Sequence, residues 1–345
     1  MSDVRVGVVG AGGVVGRTLT AMLSKSGIPF IRSSRHGDAS WYRVDAYDPE
    51  SVSRFARECD IVVNCSGPSF LTSGRLLAPV LAQGRDYIDA FGKLDPGEEK
   101  AAASRRVVLS CGCVPGFLEV LLSHLCGPRT TELCAWSGGS EEGSPAALGD
   151  IILSSISGYG TASAYADCGR VVRETADPAS ARAAADQEMD LPAEAYVAPV
   201  STSDIVRLSD RLQKRIRSYN IWSDAGTGRL IAEGCMRASG IPGDRERCRL
   251  FEELFGKSKV LRRQGTRPWY VLHVKARDGE DCREMHLETG NSTLITAGML
   301  FHSVGKMIAG AVPPGVRRPF EFADAGEMLP FLGDMGINIQ SGGTI

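Results

Sequence analysis

The sequence predicts an α/β protein: a doubly wound parallel sheet at the N-terminus, followed by an α+β unit whose sheet is mostly antiparallel. Three observations lead there. Over roughly the first hundred residues, short β-branched runs alternate with amphipathic stretches, which is the order of a parallel sheet with crossover helices. The first strand and helix of that series are joined by a glycine cluster, Gly10-Ala11-Gly12-Gly13-Val14-Val15-Gly16. Beyond Pro115 the pattern changes, and late runs alternate apolar and polar residues as an antiparallel sheet with one open face does.

Val4-Arg5-Val6-Gly7-Val8-Val9 reads as the first strand, and Leu19, Met22 and Leu23 mark the helix after the glycines. Strand, tight turn and helix in this order suit a dinucleotide, because glycines let the backbone approach a pyrophosphate and the helix N-terminus supplies amide donors. A strict G-x-G-x-x-G would need glycine where Val15 stands; the spacing that fits is Gly10, Gly13 and Gly16, with Gly12 as an extra. This turn, with Val14 and Val15, is the predicted core of a Rossmann-type cofactor site. The next apolar run, Ile28-Pro29-Phe30-Ile31, is followed by Arg32, Ser33, Ser34 and Arg35, and the first acid, Asp38, comes only later. An NAD site places a carboxylate at this strand end, whereas basic and hydroxyl residues accommodate a 2′-phosphate. NADP(H) is therefore the predicted cofactor, with Ser33, Ser34 and Arg35 reading the phosphate.

Val44-Asp45 closes a short strand, and Asp48 with Pro49 marks a helix start as N-cap and first helical residue. Asp60-Ile61-Val62-Val63-Asn64-Cys65 is a continuous apolar run, hence a buried strand. It ends at Ser66-Gly67-Pro68-Ser69, which opens into a helix around 76–82. Asp86-Tyr87-Ile88-Asp89 and Arg106-Val107-Val108-Leu109-Ser110-Cys111 are the next strands. Ligands of such sheets lie beyond the strand carboxyl ends. That rule gathers segments 10–16, 33–35, 66–69, 89–93 and 112–116 around one crevice and adds Ser66, Gly67, Pro68, Cys113 and Gly116 to the cofactor set.

The rest of the chain reads as helices at 117–125, 147–157, 179–188, 201–220 and 293–308, with strands at 132–136, 269–276 and 282–289. Gly138-Gly139 is read as a turn that brings Glu141 and Glu142 toward the crevice. Three segments are expected: 1–118 for the cofactor, 119–290 for substrate and dimer contacts, and 291–345 as helices returning to the first. The 345 residues are 43% hydrophobic and 23% charged with formal net charge -2, which offers no basic stripe for nucleic acid. No apolar run approaches the ~20 residues that span a bilayer. With no charged and apolar leader ahead of the first strand, a cytoplasmic protein is expected. The ten cysteines are scattered, with Cys111 and Cys113 forming C-x-C, so reduced thiols are expected rather than a disulfide framework or a metal set.

The glycine turn, Asp60-Ile61-Val62-Val63-Asn64-Cys65-Ser66-Gly67-Pro68, Asp86-Tyr87-Ile88-Asp89-Ala90-Phe91-Gly92 and Cys113-Val114-Pro115-Gly116-Phe117 together resemble the saccharopine dehydrogenase-like group of NADP-dependent oxidoreductases. So does the tail, with Leu294-Ile295-Thr296-Ala297, Pro313-Pro314-Gly315 and Met335-Gly336-Ile337. The resemblance covers about 1–120 and 285–340. It implies hydride transfer at C–N bonds, with a C=N group of an imine or thiazoline intermediate as the leading substrate, free or tethered to a carrier protein, in a siderophore-like biosynthesis. An opine- or saccharopine-type condensation of an amino acid with a keto acid is the alternative, and a non-catalytic NADP(H) sensor a third. A homodimer is expected. Many relatives carry glutamate where this chain has Lys93, so the lysine-catabolic chemistry does not transfer by motif. Trp136, Tyr159, Tyr165, Tyr219 and Trp222 suit an aryl or heterocyclic substrate. Candidate catalytic residues are Lys93, just beyond a strand end, Tyr159, His302 on an apolar helix, and Asp89, which orients a loop or donor rather than acting as an acid.

Overall fold

The computed structural model describes residues 4–35, 40–92, 98–175, 178–261 and 267–343. The chain forms two compact units: Met1–Val120 with Thr293–Leu332, and Leu121–Ser292 with Gly333–Ile345.

In chain order the first unit opens with β1 (Val6–Val9), α1 (Val14–Lys25), β2 (Phe30–Ser34), β3 (Tyr42–Arg43), α2 (Pro49–Arg57), β4 (Ile61–Asn64), α3 (Ser69–Ala82), β5 (Asp86–Asp89), α4 (Glu98–Ala102) and β6 (Arg106–Val108). Helix α5 (Phe117–Leu125) carries the chain onward. The second unit follows with β7 (Glu132–Ser140), α6 (Pro145–Ile156), β8 (Gly160–Ala162), β9 (Ala164–Asp167), β10 (Arg170–Arg173), α7 (Pro178–Asp186), β11 (Tyr196–Thr202), α8 (Ser203–Leu212), β12 (Arg215–Trp222), α9 (Ala225–Ser239), α10 (Asp244–Leu261), β13 (Trp269–Asp278) and β14 (Asp281–Thr289). Helix α11 (Thr293–Ile308), β15 (Gly315–Arg317) and most of α12 (Ala325–Asp334) belong to the first unit, and β16 (Asn338–Gly343) to the second.

The first sheet runs β15-β6-β5-β4-β1-β2-β3, with every pairing parallel. From β3 to β6 this is the order 3-2-1-4-5-6 of a dinucleotide-binding sheet, whose connections reverse direction between β1 and β4. Strands β1, β4 and β5 are buried throughout, because helices cover both faces. Asp48 caps α2 by accepting from the Glu50 amide at 3.0 Å, with Pro49 at the first position, as its sequence predicts. That helix buries Val52, Phe55 and Ala56 in a cluster with Leu76, Leu77 and Val80 of α3. Burying a side chain like Phe55 contributes about 2–3 kcal/mol.

The second sheet runs β10-β9-β12-β7-β13-β14-β16, with β11 beside β12 and β8 beside β11. Its pairings are antiparallel except β12 with β7. Two expectations are corrected here. The helix predicted over 201–220 stops at Leu212: Gln213 takes a left-handed conformation (φ 52°), and β12 starts two residues later with buried Ile216, Tyr219 and Ile221. Gly138-Gly139 is not a turn but the interior of β7, in register with Ile221-Trp222 and with Tyr270-Val271. Gly138 has φ 136°, and a Cβ there would sit 2.0 Å from the Ile221 carbonyl oxygen. Glycine lets the flanking backbones close on β7. Strands β8 to β11 and β16 and helices α9 and α10 had no counterpart in the sequence reading. Among the described residues no helix is long and apolar enough to cross a membrane.

Gly138→Ala must push β12 away from β7. It is expected to lower unfolding stability by about 2–4 kcal/mol, read as a shift of the urea midpoint at unchanged slope.

Candidate functional site

The first unit presents a cradle at the switch point between β1 and β4. Gly10, with φ 76°, turns the chain out of β1, and its carbonyl accepts from the Gly13 amide at 3.0 Å. A Cβ on Gly10 would lie 2.8 Å from the Ser66 nitrogen, and one on Gly16 would lie 2.3 Å from the Gly10 carbonyl oxygen. The turn, the start of α1 and the end of β4 are thus as close as backbones allow. Gly13 is the N-cap of α1 and offers no side-chain cap, and the first turn carries no acid. Its amides therefore point outward with the positive end of the helix dipole, ready for an anion. Arg17 donates from Nη1 to the Gly12 carbonyl at 2.6 Å, which brings a cation to the turn. Arg17 was not among the candidate cofactor residues. Val14 is half exposed at this edge, and the Trp41 ring stands beside Gly12.

The end of β2 splits into roles. Ser33 is buried; its hydroxyl donates to the Val8 carbonyl at 3.2 Å and its own carbonyl accepts from the Ala11 amide at 3.1 Å. This corrects its expected place at the 2′-phosphate: it braces the glycine turn from behind. Ser34 is half-buried and Arg35 exposed, while the Arg32 guanidinium lies over the Phe30 and Trp41 rings at 5.3 and 5.7 Å. Asp38 lies outside the described residues.

Behind the crevice sits a polar hub. Asp89 is fully buried and accepts from Asn64 Nδ2 (2.8 Å), Ser69 Oγ (2.8 Å), Tyr87 Oη (2.6 Å) and the Phe91 amide (3.1 Å). Asn64 Oδ1 in turn accepts from the Ser66 amide and hydroxyl. Gly67 and Pro68 complete this loop, with Pro68 as the N-cap of α3. Burial and the neighbouring Asp89 push the Tyr87 phenol well above its ordinary value. Asp89 thus gathers donors from β4, β5, α3 and the loop after β5. Cys113 is buried with its amide on Thr296 Oγ1 (3.1 Å), and the Gly116 amide donates to Glu119 (2.6 Å). Burial pushes the neighbouring Cys111 thiol up to about 12, which makes it inert.

Lys93 lies outside the described residues. His302, on α11, keeps company with Lys306 and Glu327, its Nε2 3.9 Å from the Glu327 carboxylate; burial holds its pKa below the ordinary value. In the second unit, Tyr159 donates to Asp204 at 2.7 Å, and Glu141 holds the amide of Ser292 at 2.6 Å. Trp136 and Tyr219 stack at 5.3 Å inside the core, and Tyr165 lies under the Arg217 guanidinium at 4.3 Å.

The second unit has a feature that the sequence reading missed. Alternation along β13 sets Trp269, Val271 and His273 on one sheet face, and along β14 it sets Glu284, His286 and Glu288 there. With the segment after α7 they line a cavity of about 660 Å³. His273 is 2% exposed, and neither ring nitrogen has a hydrogen-bond partner. Its ring lies 5.5 Å from that of Trp136 and 5.6 Å from that of His286. Burial first, then the charges of His286 and Lys275, hold its pKa down to about 4. Lys275 donates to Glu188 at 2.6 Å. Glu188, His273 and Glu284 each place one donor atom within 4.8 Å of the others, a spacing that admits a cation. The alternation was visible in the sequence, but which face held the polar residues was not.

No protein-family model matches the chain, and no curated protein matches it. Among solved structures, the chain is similar to an amine dehydrogenase from Mycobacterium smegmatis (12% identity over 93% of this chain and 96% of that one, TM-score 0.49). It is also similar to a DAP dehydrogenase of C. glutamicum in complex with DAP (15% identity, 95% and 96%, TM-score 0.46). Several other matches cover 25–32% of this chain. One is a short-chain dehydrogenase/reductase superfamily protein from Agrobacterium tumefaciens with bound NAD (17% identity, 25% of this chain and 31% of that one, TM-score 0.22). The strand order and the geometry of the glycine turn define the fold.

Two outcomes are expected. Asp89→Ala strands three buried donor side chains and should cost about 3–5 kcal/mol in urea unfolding, with Asp89→Asn milder. His273, with a folded pKa below its unfolded value of 6.5, takes up its proton more readily when unfolded. Its neutral form therefore supports the fold above pH 6.5, and that support is lost as pH falls toward 4, by about 3 kcal/mol in all. Replacing His273 with Gln should flatten the unfolding free energy over that range.

Proposed function

We propose that this protein is an NADPH-dependent reductase that delivers hydride to a C=N bond. One observation carries the cofactor: a glycine turn packed against β4 at the switch point of a 3-2-1-4-5-6 parallel sheet, opening an α-helix whose first amides lack a side-chain cap. In this reading the amides of Gly12, Val14 and Val15, with Arg17, hold the pyrophosphate, while the Gly13 amide closes the turn on the Gly10 carbonyl. Residues 30–35 contain no carboxylate, and Arg35 stands exposed at the strand end, which favours a 2′-phosphate over a bare ribose. The bound cofactor supplies the hydride. The chain supplies orientation, through the Asp89 hub that fixes Ser66 and the start of α3. Lys93, four residues after Asp89, is the candidate proton donor. The C=N substrate, an imine or thiazoline either free or carrier-bound, is supported by the sequence resemblance.

Arg35→Ala should weaken NADPH binding at least tenfold and leave NADH binding unchanged, as charge-assisted hydrogen bonds to a phosphate require. The wild type should oxidise NADPH with a thiazoline or cyclic imine. Turnover only with an amino acid and keto acid together would move it to the opine-forming class.

A further inference from the structure

We propose that the cleft on the sheet face of the second unit binds a small organic cation, a primary amine carrying an aromatic or heterocyclic body. The cavity, about 660 Å³, is the size of a small-molecule site. Its lining includes four carboxylates, Glu188, Asp190, Glu284 and Glu288, and among the described residues no lysine or arginine. Lys275, on the same face of β13 as His273, contacts Glu188 at 2.6 Å and lies 3.9 Å from Glu284, so a single positive charge answers four carboxylates. Carboxylates gathered this way repel one another until a cation joins them.

The floor of the cleft points to the same ligand. His273 is buried with both ring nitrogens unpartnered, and it lines the cavity. A buried polar group without a partner is costly, so a ligand that supplies one is bound with advantage. Burial keeps the imidazole neutral near pH 7, so one ring nitrogen is an acceptor. His273 Nε2 lies 4.0 Å from Glu284 Oε2. A protonated amine set between them can donate to both.

That spacing separates an amine from a bare metal ion. Ligand atoms about 2.0–2.2 Å from a tetrahedral metal sit about 3.3–3.6 Å from one another. Acceptors around an ammonium, at hydrogen bonds of about 2.8 Å, stand roughly 4–4.6 Å apart. The ring nitrogen here is 3.9 and 4.0 Å from the two carboxylate oxygens, and Lys275 already approaches both of those oxygens. The lining also carries apolar groups: Met189, Leu191, Val271 and the half-buried Trp269. These groups suit an aromatic body.

The cleft lies wholly in the second unit, so the inference stands apart from the cofactor reading, and the test omits nucleotide. The full chain, in buffer with chelator, is titrated calorimetrically with three probes of one shape: tryptamine, the neutral alcohol tryptophol, and indole-3-propionate. Tryptamine is expected to bind at least tenfold more tightly than tryptophol, with indole-3-propionate weakest. Glu284→Gln, at a partly exposed position and checked for fold by circular dichroism, is expected to weaken tryptamine at least fivefold and leave tryptophol unchanged. Equal affinity for the three probes, no detectable tryptamine binding, or an unchanged tryptamine affinity in Glu284→Gln would overturn the proposal.

Discussion

The buried carboxylate of Asp89 holds together the part of the molecule that matters for a cofactor. Strand β4 contributes Asn64, β5 contributes Tyr87, α3 contributes Ser69 and the following loop contributes the Phe91 amide, and all four donate to one side chain. A carboxylate taken out of water is tolerated only when its oxygens are satisfied. The four donors must therefore converge, and with them the carboxyl ends of two strands and the start of α3. Asn64 passes the constraint on to Ser66, whose backbone faces Gly10 too closely for any side chain there. The glycine turn is thus held in place from a distance by a residue that need not touch the cofactor.

This first unit was largely legible in the sequence. The continuous apolar run at 60–65, the short Asp86–Asp89 segment, the Asp48-Pro49 helix start and the glycine cluster are local signals, and they coincide with buried strands, a capped helix and the turn. Ser33 was less legible. Its residue type suits a phosphate contact, but its parity in β2 turns the hydroxyl inward to Val8, and the inward side of a strand is decided by tertiary packing. In the second unit local signals conflict. Residues 201–220 carry helix-favouring charged residues, yet the chain breaks at Gln213 and continues as a strand because Ile216, Tyr219 and Ile221 pack in a sheet core. Gly138-Gly139 mimics a turn, and only the neighbours in the sheet show that close strand approach is what these glycines serve.

The polar cleft illustrates a different limit. His273, Lys275 and Glu284 come from the β13–β14 hairpin and Glu188 from the segment after α7, and no spacing in the chain links Glu188 to the other three. Their energetics also oppose folding. A histidine without hydrogen bonds and a lysine–glutamate pair with little solvent are poor sources of stability. Such groups are more readily explained by a ligand than by the needs of the fold.

The central claim is that the turn at residues 10–16 holds NADP(H), and a crystal structure of the chain with NADP+ tests it most directly. The account predicts the pyrophosphate against the amides of Gly12, Val14 and Val15, beside Arg17, and the 2′-phosphate within hydrogen-bond distance of Arg35. A nucleotide bound elsewhere, or a glycine turn that stays empty at saturating NADP+, would contradict it.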